Sequence, residues 1–313
     1  MEGKKSASTV VRQCLDVRPG ESVLVVTDEK RRSIGKKIYE ESRKVSDKTI
    51  YVEINETGEH GAEPPIPVSK AMKNSDVIIA PTTYSLSHTR ARKEACQNGS
   101  RVATMPGITE KMFLTTLRAD YADIKNRCNL LFEMIKDTST IAVKTPSGTD
   151  LKLEVNAEFW HTDTGVIKNK GDFGNLPAGE VDGSPVNANG KVVIDFLKSG
   201  DETIAPPGTE VEIKENKAVS IYKECKLSRA FKEIKNAENV AELGIGTNPE
   251  AELVGNILQD EKVLGTCHVA FGDSTSYGKD ISSEIHWDAI LEKPSIWFDD
   301  KKIMEKGVLK VET

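Results

Sequence analysis

Residues 265–288, GTCHVAFGDSTSYGKDISSEIHWD, contain two histidines and a carboxylate at spacings that suit a metal ion. His286 and Asp288 are separated by one residue, so in a β-strand both side chains lie on the same face. His268 lies in the apolar run 266–271, which predicts a buried strand. The loop that follows returns the chain toward His286. An imidazole and a carboxylate from one strand, and a second imidazole from another, can therefore meet at one cation.

Two histidines and one carboxylate can occupy three positions around a divalent ion and leave others open for water or substrate. Catalytic zinc sites and non-haem iron sites both need such open positions. Each histidine could instead merely form a hydrogen bond inside a sheet. The His-x-Asp pair together with a second histidine in a strand favours the metal site.

The composition is that of an ordinary soluble protein and excludes several classes of function. Of the 313 residues, 37% are hydrophobic and 29% charged, and no apolar run approaches a membrane span, which needs about 18 residues. A net charge of -6, with both signs interspersed, gives no reason to expect nucleic acid or a membrane as partner. The polar N-terminus lacks the apolar core of a signal peptide, so we expect a cytoplasmic protein. Five widely spaced cysteines argue against a disulfide framework.

Residues 1–136 are expected to form an α/β domain with a mainly parallel sheet, because strand-like and helix-like segments alternate there. Apolar strands are predicted at residues 22–26, 49–54, 76–80 and 101–105. The hydroxyl-rich loop 81–89 could contact a substrate, or its serines and threonines could cap the next helix. No Gly-x-Gly-x-x-Gly follows the first strand, so a dinucleotide site is unsupported.

Residues 137–313 begin with alternating hairpin patterns and are expected to form a second, α+β domain that carries the metal ligands. The predicted fold class is therefore α/β, with an N-terminal parallel-sheet α/β domain and a C-terminal α+β metal-binding domain. The active site is expected in the cleft between them.

Three further acidic positions are candidate ligands. Glu180 follows glycines and prolines that predict an irregular loop, where it is either a ligand or an exposed glutamate. Glu242 is surrounded by small and apolar residues, where a carboxylate needs a cation or hydrogen bonds. Asp260 and Glu261 precede His268 by eight and seven residues and could either bind a second metal or lie in a solvated turn.

With these residues identified, the sequence resembles the aminopeptidase T family of metallo-aminopeptidases, which are leucyl aminopeptidase-like. The resemblance covers residues 170–290 and rests on Gly-Glu-Val, Glu-Leu-Gly, an acidic residue before Cys-His-Val-Ala-Phe-Gly, and His-x-Asp. It implies six metal ligands, namely Glu180, Glu242, Glu261, His268, His286 and Asp288. The sequence is also similar to a shorter branch of the same fold, the 2,5-dihydroxypyridine dioxygenases. In that family the two histidines and the aspartate bind one iron.

Two positions depart from the aminopeptidase pattern. The third glutamate of that family lies closer to the first histidine than Glu261 lies to His268, which favours one metal over two. Tyr277 is the nearest match to a tyrosine of the family but is displaced by a small insertion. It could donate to a developing oxyanion or simply pack in the loop.

The function predicted from the resemblance is a metal-dependent aminopeptidase that releases N-terminal residues from peptides by means of metal-activated water. One or two divalent ions, zinc, cobalt, manganese or iron, would activate the water, with Glu180 or Glu242 as general base. The alternative is a mononuclear non-haem iron dioxygenase that opens an aromatic ring, with His268, His286 and Asp288 as its triad. A metal-stabilised binding protein is a third possibility. The substrate would be a small peptide or small molecule, and the resemblance implies a homodimer.

Overall fold

The computed structural model describes residues 3–199 and 202–311, and the chain divides into two units. Unit 1 runs to Lys125 and takes in Thr164–Ala178, whereas unit 2 comprises Asn126–Asp163 and the chain from Gly179 onward. The chain thus leaves unit 1, builds part of unit 2, and returns to unit 1 once before it completes unit 2.

The helices and strands have the following bounds. The helices are α1 (Lys4–Ser8), α2 (Arg32–Arg43), α3 (Ile66–Lys73), α4 (Arg90–Gln97), α5 (Glu110–Leu114), α6 (Tyr121–Lys136), α7 (Lys226–Glu233) and α8 (Ile257–Asp260). The strands are β1 (Val23–Asp28), β2 (Thr49–Ile54), β3 (Val77–Ala80), β4 (Arg101–Thr104), β5 (Thr140–Lys144), β6 (Asp150–Glu154), β7 (Trp160–Asp163), β8 (Phe173–Asn175), β9 (Glu180–Gly183), β10 (Asn187–Ile194), β11 (Leu197–Ser199), β12 (Glu202–Ala205), β13 (Thr209–Lys214), β14 (Lys217–Ile221), β15 (Val240–Gly246), β16 (Thr266–Gly272), β17 (His286–Glu292), β18 (Ser295–Phe298), β19 (Lys301–Glu305) and β20 (Val308–Leu309).

Unit 1 is built on a parallel sheet with strand order β2-β1-β3-β4-β8. Every residue of β1, β3 and β4 is buried, as expected for a parallel sheet that is covered on both faces. Helix α2 buries Ile34 and Ile38, which lie one turn apart and form its apolar face. The four strands predicted from the apolar runs are present, and β8 is an addition that the sequence analysis did not predict.

The hydroxyl-rich loop between β3 and α4 uses its polar groups within unit 1. The amide and hydroxyl of Thr83 donate to the carboxylate of Asp28 at the end of β1. Thr89 caps α4, because its hydroxyl accepts a hydrogen bond from the Arg92 amide at 3.2 Å. The capping alternative therefore applies to Thr89, and contact of this loop with a substrate stays a prediction.

Unit 2 consists mainly of antiparallel strands. It contains an eight-stranded sheet with order β14-β13-β10-β6-β5-β18-β19-β20, the pair β11-β12, and a five-stranded sheet with order β17-β16-β15-β9-β7, here called the site sheet. The β13–β14 hairpin turns at Glu215 and Asn216, which both have positive φ, as a tight hairpin turn requires. The predicted α/β fold, with a parallel sheet and further antiparallel structure, is confirmed.

The two faces of the site sheet differ in character. In β16, Cys267, Val269 and Phe271 alternate with His268 and Ala270, so apolar side chains project from one face and the imidazole from the other. Phe271 packs edge-on against Phe231 of α7, with ring centroids 5.3 Å apart. The apolar face is thus covered by protein, and the opposite face carries the polar groups. Among the described residues, no helix is both long and apolar enough to cross a membrane.

Candidate metal centre

Three strands of the site sheet place predicted ligands on one face. In the register of β15, β16 and β17, Glu242 and Asp288 stand on either side of Ala270. Directly opposed residues project from the same face, and so do residues two apart in one strand. His268 and His286, two residues before Ala270 and Asp288, therefore project from this face as well.

The remaining two strands continue the polar face. Glu180 of β9 is paired with Gly246 of β15 and with Asp163 of β7, and Asp182 follows two residues later. The prediction of an irregular loop around Glu180 is wrong, since Glu180 begins a buried strand. Pairing of β9 with a strand on either side outweighs the nearby glycine and proline signals.

His268 and His286 both face the carboxylate of Glu242. The distance from His268 Nε2 to Glu242 Oε1 is 2.8 Å, and that from His286 Nε2 to Glu242 Oε2 is 2.9 Å. Asp288 Oδ1 lies 3.3 Å from His286 Nε2. Four of the predicted ligands thus converge, and His286 is the member of this set that reaches solvent, with 34% of its side chain exposed.

A backbone hydrogen bond orients the ring of His286. Its Nδ1 lies 2.7 Å from the carbonyl oxygen of Asp273. A carbonyl oxygen can only accept, so Nδ1 donates, and in the neutral ring the lone pair remains on Nε2. Such an outer contact is usual for metal-binding histidines and holds the ring toward the ion.

Gly244 makes room for the ring of His268. The two residues are directly opposed in the register of β15 and β16. A Cβ atom on Gly244 would lie 2.1 Å from His268 Cε1 and 2.2 Å from its Nε2. Any larger residue would displace the imidazole, so this glycine is part of the site although it carries no donor.

Glu180 and Glu261 lie against a buried lysine that the sequence analysis missed. Lys262 Nζ contacts Glu180 Oε1, lies 2.7 Å from Glu261 Oε1, and lies 3.3 Å from Asp163 Oδ2. Burial opposes ionisation of the lysine, but the charges of these carboxylates hold the pKa of Lys262 well above its usual range. The ammonium is therefore charged and neutralises carboxylates that were predicted to bind a metal.

The acidic pair before His268 has two separate roles. Asp260 is fully buried and accepts hydrogen bonds from the backbone amides of Val254 and Gly255, at 2.8 and 2.9 Å. Glu261 faces Lys262. The solvated turn is thus excluded for Asp260, which holds the start of α8 in place.

Tyr277 lies beside the polar face and donates its hydroxyl proton to Asp182, with 2.7 Å between Oη and Oδ2. Its ring stacks on that of His161, with centroids 5.5 Å apart and 17° between the planes. Tyr277 and Asp182 are both buried. The phenolic proton is therefore committed to a carboxylate, and the phenolic oxygen can still accept a hydrogen bond.

Charges on this face shift pKa values strongly. Burial disfavours the ionised forms of both Glu242 and His268, but their mutual contact outweighs it. The pKa of Glu242 is held well below its usual range, and that of His268 is raised to about 9. Burial, followed by the charge of Glu242, raises the pKa of Asp182 to about 7. The face concentrates negative charge and so favours a bound cation.

The donor atoms fit a divalent ion. They form two groups, in each of which all ligand atoms lie within 4.8 Å of one another: Glu242, His286 and Asp288, and Glu180, Glu261 and His268. Imidazole nitrogens and carboxylate oxygens are the donors that zinc and non-haem iron sites share. Two buried atoms of the second group, Glu180 Oε2 and His268 Nδ1, have no hydrogen-bond partner among the described residues. The chain thus carries histidine and carboxylate groups able to hold a metal.

Two pairs on this face repeat the spacing of the His-x-Asp pair in β17. His161 and Asp163 in β7, and Glu180 and Asp182 in β9, are also separated by one residue. His161, Asp163 and Asp182 were not among the candidate residues predicted from the sequence. The signal that could have identified them is this repeated spacing, in segments that each supply two polar side chains to one face.

The fold and the site together define a class of protein in which histidines and carboxylates able to hold a metal share one face of an antiparallel sheet. Within this class, the chain belongs to the 2,5-dihydroxypyridine 5,6-dioxygenase family (NicX), whose sequence model matches residues 5–311. No curated protein sequence gives a significant match.

Two solved structures share the fold over almost the whole chain. A 2,5-dihydroxypyridine dioxygenase from Pseudomonas putida KT2440 superposes with a TM-score of 0.80 at 17% identity, covering 99% of this chain and 97% of that chain. Wild-type AmpT from Thermus thermophilus, an aminopeptidase T, superposes with a TM-score of 0.67 at 16% identity, covering 99% of each chain. At these identities the likeness establishes the fold.

The prediction of a metallo-aminopeptidase, and with it the assignment as a hydrolase and protease, is wrong. The family match spans nearly the whole chain and belongs to a dioxygenase, and the dioxygenase structure is more similar than AmpT. Glu180, predicted as a possible general base of hydrolysis, is in contact with the ammonium of Lys262. The expected kinship in fold between the two families is confirmed.

Proposed function

We propose that the protein is a mononuclear non-haem iron dioxygenase that opens the ring of 2,5-dihydroxypyridine, or of a close analogue, between C5 and C6. The observation that carries the proposal is the family match over residues 5–311. The site supports it, because two imidazoles and an aspartate that share a sheet face are the ligand set of ferrous oxygenases.

His268, His286 and Asp288 would hold the iron. Glu242 would stay beside them as a buried carboxylate that directs both imidazoles to one point. When bound, ferrous iron supplies the redox couple through which O₂ and an electron-rich ring can react. The exposed edge of His286 leaves an approach from solvent for the substrate.

Asp182 and Tyr277 would orient the ring. A dihydroxypyridine presents two hydroxyl groups, which need acceptors inside the site. The carboxylate of Asp182 and the phenolic oxygen of Tyr277 are such acceptors, and both groups are buried beside the site sheet. His161, stacked on Tyr277, adds a flat surface against which an aromatic ring can pack.

Oxygen consumption by the reconstituted enzyme tests this function. Metal-free protein is loaded anaerobically with ferrous iron or with zinc and then supplied with 2,5-dihydroxypyridine in an oxygen electrode. We expect the ferrous form to consume one O₂ per ring opened, and the product to have the mass of substrate plus O₂. The zinc form should be inactive, because zinc has no accessible redox couple.

The competing reaction is tested in parallel on aminoacyl anilides. No metal form should hydrolyse them. A ferrous form that consumes no O₂ with dihydroxypyridines, while any metal form hydrolyses the anilides, would overturn the proposed function.

A further inference from the structure

His268 belongs to one group of possible ligand atoms and also contacts the other through Glu242. Its Nε2 lies 2.8 Å from Glu242 Oε1, in the group that includes Asp288, and 3.9 Å from Glu180 Oε2, in the group that includes Glu261. Each group, judged by its donor atoms alone, could hold a divalent ion.

The second group already contains a positive charge of the protein. Lys262 Nζ contacts Glu180 and lies 2.7 Å from Glu261 and 3.3 Å from Asp163. An ammonium has three N–H donors, and three carboxylates surround this one. The lysine side chain is 4% exposed, so the carboxylates replace water as its partners.

The backbone of Lys262 is fixed against the site sheet. Its carbonyl oxygen accepts a hydrogen bond from the amide of Asn248 at 2.9 Å, and its amide donates to the carbonyl of Gln259 at 2.9 Å. A Cβ atom on Gly246 would lie 2.8 Å from the carbonyl carbon of Lys262, so this segment packs directly on β15. The fold therefore sets the position of the ammonium.

The same group also presents an oxygen that suits a cation. Glu180 Oε1 faces Lys262, whereas Oε2 is buried toward His268 and has no hydrogen-bond partner in the described ranges 3–199 and 202–311. A buried carboxylate oxygen without a partner is unfavourable. A divalent ion held by both Glu180 and Glu261 would lie beside the ammonium that contacts both carboxylates, and like charges repel strongly at short distances.

We propose that the ammonium of Lys262 takes the place of a second divalent ion, so that the site binds one metal per chain. The inference rests on the proposed single-iron function and gives it a structural basis, because the remaining ion is confined to the side of His286 and Asp288. Removal of the ammonium leaves the carboxylates of Glu180 and Glu261 available for a second ion, beside the ion held by His268, His286 and Asp288.

Metal counting tests the inference without the use of activity. Metal-free full-length protein is equilibrated with excess Mn²⁺, and the metal content per chain is measured by mass spectrometry. We expect one ion in the wild type and two in Lys262→Met, which keeps the length of the side chain and removes its charge. Lys262→Arg should bind one. Lys144→Met, which removes an exposed lysine paired with Asp150, should bind one as well.

Loss of the lysine leaves several carboxylates uncompensated, so Lys262→Met could fail to fold. The double variant Lys262→Met/Asp163→Asn carries one carboxylate fewer, keeps the donors of the second group, and should also bind two ions. Electron paramagnetic resonance distinguishes two coupled neighbouring Mn²⁺ ions from an ion bound elsewhere on the surface. Two ions in the wild type, or one in a folded variant without the ammonium, would overturn the inference.

The oxygen assay tests the proposed function and the metal count tests the role of Lys262, so either proposal can fail without the other. A wild type with one ion that opens no ring refutes the proposed function and leaves the role of Lys262 standing. Ring opening by a wild type that carries two neighbouring ions refutes the role of Lys262 and leaves the proposed function standing.

Discussion

The Nε2 atom of His268 lies 2.8 Å from Oε1 of Glu242, across two neighbouring antiparallel strands. The other oxygen of Glu242 lies 2.9 Å from His286 Nε2, so a single carboxylate holds two imidazoles toward one point. Because this carboxylate is buried and unusually acidic, it supplies a permanent negative charge at the centre of the site.

Replacement of Glu242 by glutamine should weaken metal binding by about 10- to 100-fold, the usual cost of losing a group that orients metal ligands. Glutamine has the same shape but lacks the charge and offers one acceptor oxygen instead of two. Competition titration with a chelator measures the affinity. Glu238→Gln, which changes a glutamate paired with Lys217 away from the ligands, is the matched control and should leave the affinity unchanged. Equal affinities in both variants would contradict a role for Glu242.

Asp288→Asn should weaken metal binding more than Glu242→Gln does, since Asp288 is proposed as a direct ligand. We expect metal affinity to fall by more than about 100-fold, which exceeds the usual loss for residues that only orient the ligands. Ring cleavage should be lost, and the folded structure should change little. Circular dichroism and metal analysis of the same sample separate these effects. Asp280→Asn, at an exposed position in the preceding loop, should behave as the wild type. Full metal occupancy in Asp288→Asn would exclude this residue from the triad.

Glu41 in unit 1 should stabilise the fold in a pH-dependent manner. It is 7% exposed and lies 3.2 Å from Arg12 Nε. Burial opposes its ionisation, but hydrogen bonds from Lys44 and Arg12 hold the pKa of Glu41 below its usual 4.5. A lowered pKa means that the stabilisation is complete above the unfolded-state value and is lost as pH falls through the folded-state value.

We therefore expect Glu41→Gln to reduce the free energy of unfolding by about 1 kcal/mol at neutral pH, and by progressively less below pH 4.5. Urea unfolding across this range measures the difference from the wild type. The neighbouring exposed Glu40→Gln serves as control and should show no such dependence. A constant difference at all pH values would exclude the ionised pair as the cause.

The sequence was sufficient to predict the features that depend on the pattern of residues close together in the chain. Strands β1 and β3 bury every residue, so their apolar runs are continuous and easily recognised. The shared face of His286 and Asp288 follows from the period of two in a strand, whatever the rest of the fold. Both predictions needed only neighbouring residues.

Lys262 and Gly244 could not be identified in this way, because their roles depend on partners that only the folded chain brings near. A lysine beside acidic residues is typical of a solvated turn, yet packing against β15 buries Lys262 among carboxylates from β7 and β9. Gly244 matters because His268 lies over it. The incorrect aminopeptidase prediction has a related cause, since the order of ligands follows from the shared fold and does not by itself determine the reaction.

Tyr277→Phe should lower both stability and turnover without changing the metal content. The substitution removes the hydroxyl that donates to buried Asp182 at 2.7 Å, which should cost about 1–3 kcal/mol of unfolding free energy. It also removes an acceptor proposed to orient the substrate ring, so kcat with 2,5-dihydroxypyridine should fall. Tyr222→Phe changes an exposed hydroxyl that contacts Glu212 and should have little effect. Unchanged kcat in Tyr277→Phe would exclude Tyr277 from substrate positioning.

Gly244→Ala should reduce metal binding although it alters no donor atom. The added methyl group would lie 2.1 Å from His268 Cε1, so the ring must move away from Glu242. Gly183→Ala is a matched control in the same sheet, because its methyl group would lie 2.3 Å from the ring of Trp160, which is not a ligand. Both variants overpack a ring and should lose about 1–3 kcal/mol of stability, which thermal unfolding of the metal-free proteins measures. Gly244→Ala alone should also lose affinity for Mn²⁺. If both variants lost metal equally, the effect would come from general distortion of the sheet, and the specific fit of His268 over Gly244 would be refuted.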